Sequence, residues 1–151
     1  MRAQGFTLVE LVTVIVLIAV LSVVAIARLE IGTTSAHEAA GELVSALRHA
    51  QHLSLTHTDA AGYRVEVDGT GFRVRDGAGN DVRNPLTGTA PFTEGWSDVT
   101  LAPTGTVRFD QRGVPTCSGG LGCTAANAVL TVAVPGGSES VTVERVTGYV
   151  R

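Results

Sequence analysis

The chain has 151 residues, 44% of them hydrophobic, and a formal net charge of −3. That length allows one domain beyond a membrane anchor. All 11 basic residues are Arg, and the acidic balance excludes the strongly basic surface that marks many nucleic-acid and acidic-lipid binders.

The chain opens Met1-Arg2-Ala3-Gln4-Gly5, a short, polar and positive stretch. Residues 11–27 (LVTVIVLIAVLSVVAIA) then carry no charge, Pro or Gly. With Phe6 to Glu10 in front, the run is about 22 residues, or roughly 33 Å of helix, enough to cross a bilayer once. Glu10 is the single charge inside it, one turn from its start. A carboxylate costs on the order of 2.5–3.5 kcal/mol at mid-membrane and less near the interface, so it is read as functional and needs a partner. A secretory signal places its small-residue cleavage site after the apolar region. Here Gly5 stands before it. A cut between Gly5 and Phe6 would keep the helix on the mature chain and create an amine at Phe6. In parallel helices staggered along an axis, Glu10 of one subunit meets the Phe6 amine of another, and both charges are neutralised. The plainer alternative is an uncleaved anchor whose Glu10 complements the positive helix N-terminus.

Gly5-Phe6-Thr7-Leu8-Val9-Glu10-Leu11 resembles the prepilin cleavage and methylation motif of type IV pilins and type II secretion pseudopilins. The resemblance implies that residues 1–5 are a leader, that a prepilin peptidase cuts after Gly5 and methylates the Phe6 amine, and that Glu10 is the assembly contact. It implies that residues 6–27 form a transmembrane and filament-core helix in the bacterial inner membrane. The C-terminal domain is then periplasmic until the chain enters a pilus or pseudopilus. The implied partners are other pilins or pseudopilins, the peptidase, the inner membrane and the inner-membrane assembly platform. Many pilins carry Pro late in this helix; Ala27 stands near that place, so a Pro-linked kink is not implied.

From residue 28 the pattern becomes amphipathic. Ala36, Ala40, Leu43, Leu47 and Ala50 recur at three- and four-residue spacing, with Ala39, Val44 and Leu53 widening the face. This predicts an amphipathic second half of the helix over 28–58, ending near Thr56. Ser35-Ala36-His37-Glu38 reads as a capping box, which leaves two readings open: a kink or brief break near Gly32, or a continuous helix with tolerated glycines. Gly41 is a second weak point.

The period then changes to two. Tyr63, Val65 and Val67 alternate with Arg64, Glu66 and Asp68, and 72–75 returns after the turn Asp68-Gly69-Thr70-Gly71. Residues 84–98 read as loop, 99–101 and 106–109 as short strands, and 117–124 as Gly-rich loop. Residues 129–134 and 140–146 read as a strand pair, with 148–151 at a sheet edge. The fold class is α+β: a long N-terminal helix, transmembrane first and amphipathic second, packed on an antiparallel β-rich domain over 59–151.

Phe109-Asp110-Gln111-Arg112-Gly113-Val114-Pro115, the helix 43–55 and the ending VTVERVTGYVR resemble the FimT/GspH family of minor pilins and pseudopilins. The helix start also resembles MSHA-type minor pilins. The resemblance implies a structural subunit that helps initiate or cap a type IV pilus or type II secretion pseudopilus, with no enzymatic activity and no cofactor. Cys117 and Cys123 are then expected outside the cytoplasm, where a bridge is favoured over a metal pair that lacks nearby second ligands. The alternative function is a DNA receptor in natural transformation. Some members of the family use a Gly-Arg-x-Arg ending; here Gly148-Tyr149-Val150-Arg151 keeps only the Gly and the last Arg, so Arg145 and Arg151 are the candidate DNA contacts. No metal site is expected: His49, His52 and His57 read as a polar helix edge, and Asp76, Asn80 and Asp81 as a turn.

Overall fold

The computed structural model describes residues 8–27, 31–57, 61–123 and 125–151; within its helices, side chains are described over 8–22 and from 36 onward. The leader 1–5, with Gly5, and also Phe6 lie outside the described residues. The chain forms two compact units, residues 1–31 and 32–151.

Helix α1 runs Leu8–Ala27 and helix α2 runs Ile31–Thr56. Gly32 and Ser35 both have helical backbone inside α2, so the helix does not break at Gly32 and Ser35 caps no helix start. An S-x-x-E pattern caps only where the chain enters the helix, and here Ile31 to Thr34 are already helical. Against the expected span over 6–27, no helix among the described residues is long and apolar enough to cross a membrane. The described side chains of α1 stop at Ser22, short of the roughly 20 residues a crossing needs.

α2 ends where the sequence places its end. His57 N donates to Leu53 O at 2.9 Å, and the Thr56 hydroxyl turns back onto His52 O at 2.9 Å. Its buried face is Ala36, Ala39, Ala40, Leu43, Ala46, Leu47 and Ala50. The five alanines keep that face thin, and Leu43 and Leu47 are fully buried, worth roughly 1.5–3 kcal/mol each relative to exposure. Gly41 lies on the exposed side with nothing within 4 Å of an added Cβ. Gly41→Ala is therefore expected to raise the stability of the domain by about 0.5–1 kcal/mol, read as a higher denaturant midpoint.

Among the described residues, eight strands follow in two sheets. The first orders β3 (Thr93–Gly95), β2 (Gly71–Arg75), β1 (Tyr63–Val67), β5 (Gly105–Phe109) and β6 (Pro115–Gly119). The second orders β4 (Thr100–Ala102), β7 (Ala128–Val134) and β8 (Gly137–Val143). All the strand pairs are antiparallel. Three expectations are corrected. The 84–98 segment contains β3, which pairs with β2 through Arg73↔Thr93. The first part of the cysteine loop is β6, with Val107↔Cys117 in register. Neither strand has apolar alternation, because each is a sheet edge held mainly by its one neighbour. The last long strand stops at Val143, since Gly148 N returns to Glu144 O at 2.8 Å and closes a turn. The chain end then pairs back on β8, with Val143↔Val150 and reciprocal Thr142–Arg151 bonds of 2.7 and 3.0 Å.

One hydrophobic cluster joins α2 to both sheets. Val65, Val67, Phe72, Val74, Val107 and Phe109 come from the first sheet, and Leu101, Leu130, Val132, Val141 and Val143 from the second. Phe72 stands edge-on to Phe92 with centroids 5.7 Å apart, a packing that adds about 0.5–1.5 kcal/mol beyond area burial.

Candidate functional site

The first candidate is α1 itself. Among its described side chains, from Leu8 to Ser22, every one is exposed, including Leu8 at 79% and Leu21 at 64%. The two polar side chains that follow Glu10 turn inward on the backbone. The Thr13 hydroxyl donates to Val9 O at 3.0 Å and to Glu10 O at 2.9 Å, and Ser22 to Ile18 O at 2.7 Å. Both thereby satisfy their own hydroxyls without a partner chain. The helix thus presents hydrocarbon on all sides and one exposed carboxylate, Glu10, in its first turn. A helix apolar all round is buried in its working state, against lipid or other helices.

The second candidate is the seam between α2 and the end of the chain. Arg48, Gln51 and Ser54 recur three apart on α2. Arg48 Nη2 donates to Val150 O at 2.9 Å. Gln51 Nε2 donates to Gly113 O at 3.1 Å and Thr147 O at 3.0 Å. The Ser54 hydroxyl, buried, donates to Phe109 O at 3.1 Å and accepts Tyr63 N at 2.9 Å. One helix stripe therefore holds the Phe109–Pro115 turn and the Thr147–Val150 ending together. Asp110 organises that turn by accepting the backbone N–H of Arg112 at 2.9 Å and of Val114 at 2.8 Å. Gly113 and Gly148 sit at φ 75° and 68°, a region that costs other residues about 1–2 kcal/mol. This gives the Phe-Asp-x-x-Gly-x-Pro element and the Thr-Gly ending one physical job, held by the same three side chains of α2.

Cys117 and Cys123 form a disulfide with Cα atoms 5.4 Å apart. It folds the segment after β6 back on that edge strand, and buries Cys123. The candidate DNA contacts are placed differently from one another. Arg145 N donates to Asn127 Oδ1 at 3.1 Å, at the start of β7. Arg151 lies beside Thr142 and lines a cavity of about 190 Å³ with His37 and Glu139. Glu139 meets His37 Nδ1 at 3.0 Å, so the cavity holds a carboxylate as well as an arginine.

Among the described residues no group of three or more His, Cys, Asp or Glu side chains is placed to hold a metal. His49 stands edge-on to Phe92 and His57 to Tyr63, so they pack on different rings. Burial and the neighbouring His52 hold the His49 pKa below its ordinary value. Asp76 caps its own turn, accepting Asn80 N at 2.7 Å and Asn80 Nδ2 at 2.8 Å. Those bonds hold its carboxyl below the usual range. Asp81 faces Arg73 and Arg75 instead.

Glu42 runs the other way. Partial burial, Glu94 and Glu38 push its carboxyl above the ordinary value. A carboxyl raised in the folded state binds its proton more tightly there, so its penalty grows as pH rises through that range. Glu42→Gln is expected to raise the melting temperature by up to about 2 °C at pH 7, within the usual surface range. The gain should vanish below about pH 4, where Glu42 is protonated in both states. An equal gain at both pH values would contradict this origin.

The feature that sequence reading missed lies on the outer face of the first sheet. Arg75, Arg64 and Arg108 stand directly opposite one another across β2, β1 and β5. Strand alternation gave their outward direction, but their alignment depends on register, which no single strand encodes.

A family model described as the prokaryotic N-terminal methylation motif matches residues 1–26. No curated protein and no solved structure matches the chain. The motif match supports a type IV pilin-like protein, and with it association with other pilins and processing by a prepilin peptidase.

Proposed function

We propose that the chain is a minor pilin or pseudopilin of the FimT/GspH kind, a structural subunit that helps initiate or cap a type IV pilus or a type II secretion pseudopilus. The observation that carries this reading is the methylation motif over 1–26 on a helix whose described side chains are apolar and exposed around Glu10. In this reading residues 1–5 are removed, Phe6 becomes the methylated amine, and residues 6–27 pass from the inner membrane to the filament core. The α+β unit is then carried outside the core, where the Cys117–Cys123 bridge is stable to the oxidising surroundings. The Glu10 carboxylate meets the Phe6 amine of a neighbouring copy or of another pilin. The chain's part is contact and geometry, without bond-making chemistry. The alternative, a DNA receptor acting through Arg145 and Arg151, gains no support from the motif match, and Arg151 shares its cavity with a carboxylate, Glu139.

A clean deletion in the source bacterium, scored for surface pili and for exported enzymes in the medium, tests the proposal. Loss of pili with normal export makes the chain a minor pilin, and loss of export with normal pili makes it a pseudopilin. Normal counts of both would contradict a role in either machine.

A further inference from the structure

The outer face of the five-stranded sheet carries an unusual charge arrangement. Register places Arg75, Arg64 and Arg108 in one row across three neighbouring strands. Strands lie about 4.8 Å apart, so three like charges share roughly 10 Å, and directly opposed like charges cost stability. The next outward row is Arg73, Glu66, Thr106 and Ser118. Two carboxylates offset one side of this patch. Glu66 takes Arg64 at 2.9 Å and Arg75 at 3.4 Å, while Asp81 takes Arg75 at 3.7 Å and Arg73 at 3.8 Å. Arg75 Nε is buried and, at those distances and angles, makes no hydrogen bond. Arg108 is exposed, and among the described residues no carboxylate pairs with it. Beside the rows lies a groove of about 660 Å³ lined by Glu66, Asp68, Arg73, Thr93, Thr104 and Thr106.

The opposite side of the same sheet is acidic. There α2 and β3 bring Glu38, Glu42 and Glu94 around one groove, with Asp98 on an adjoining one. These carboxylates repel one another, and among the described residues no cation lines those grooves.

We infer that the arginine face of the sheet docks the acidic α2–β3 side of a second copy of this chain, in a head-to-tail contact between exported domains. The inference rests on the proposed filament role in one respect. Copies related by one repeated screw step along a filament axis meet through two different faces. The chain has two such faces, of opposite charge, on opposite sides of one layer. A protein partner fits the arginine face better than nucleic acid does. Glu66, Asp68 and Asp81 sit within it and would repel phosphate, and its outward positions (Arg64, Glu66, Arg73, Arg75, Thr106, Arg108) offer no aromatic ring to stack a base.

The test uses the full chain in detergent micelles and sedimentation at about 50 and 500 mM salt, since screening weakens such contacts. The wild type should self-associate, at least about tenfold more weakly at high salt. Arg73→Glu with Arg108→Glu makes the arginine face acidic, and Glu38→Arg with Glu42→Arg cancels the net negative charge of the α2–β3 side, where Glu94 and Asp98 remain. Each double variant alone should lose association at low salt, and an equimolar mixture should regain it, because each then supplies the face the other lacks. A circular-dichroism melt checks folding, with Arg108→Glu alone as the fallback. Salt-insensitive association, or no rescue on mixing, overturns the inference. So does tight binding of a fluorescent DNA duplex that Arg108→Glu abolishes, which would make the face a phosphate site. Loss of filament incorporation in Glu10→Ala, with no effect of the charge reversals, removes this contact and leaves the filament role standing. Rescue on mixing, with normal incorporation of Glu10→Ala, does the reverse.

Discussion

Glu10→Ala is expected to stay in the membrane fraction and to vanish from sheared filaments. The substitution removes the one charge from an apolar run, so insertion becomes easier. Assembly should fail, because the Phe6 amine of a neighbour is left as an uncompensated cation in an apolar core. Breaking a buried pair by removing one partner costs about 3–5 kcal/mol, a factor of more than a hundred in an equilibrium. Magnitude separates this role from the plainer one. If Glu10 only complemented the helix N-terminus, its loss would cost about 0.3–1 kcal/mol, and incorporation would drop no more than about fivefold. Glu10→Gln sharpens the comparison, since it keeps the shape and removes the charge. Both substitutions should leave less than a tenth of the wild-type signal per filament, measured by immunoblot of sheared material. Near-normal incorporation of either would sink the inter-subunit role.

Gly148→Ala is expected to be the most damaging single substitution at the seam between α2 and the chain end. At φ 68° the new side chain occupies a strained backbone region, for about 1–2 kcal/mol. Its Cβ would also overlap the Gly113 carbonyl oxygen and lie 2.6 Å from Gln51 Nε2. Gln51 would have to leave, taking with it two hydrogen bonds worth about 0.5–1.5 kcal/mol each. The total is about 2–5 kcal/mol, enough to lower the melting temperature by about 8 °C or more. Gly136→Ala is the control. Its φ of 105° is also positive, but nothing lies within 4 Å of the added Cβ, so only the backbone term of about 1–2 kcal/mol applies. Equal losses at the two sites would show that the Gln51 clamp contributes nothing.

Much of the α+β unit was legible from patterns local in sequence. The buried face of α2, the Tyr63–Val67 hairpin and the disulfide all follow from helical spacing, strand alternation and cysteine proximity. What was not legible depends on which strand lies beside which. β3 and β6 carry Thr, Glu, Ser and Gly, and become strands through pairing with β2 and β5. The division of the strands into two sheets was equally hidden, as was the aligned row of Arg75, Arg64 and Arg108. Gln51 carries no local sequence signal of its role, because its two acceptors lie 62 and 96 positions away in the chain. The motif at the amino end was legible for a different reason: its meaning is carried by residue identity and spacing alone, at Gly5, Phe6 and Glu10.

The most direct measurement is mass spectrometry of this chain recovered from sheared filaments of the source bacterium. The account predicts an amino terminus at Phe6 bearing one N-methyl group, with residues 1–5 absent. Chain recovered only from membranes, with Met1 to Gly5 still attached, would contradict it.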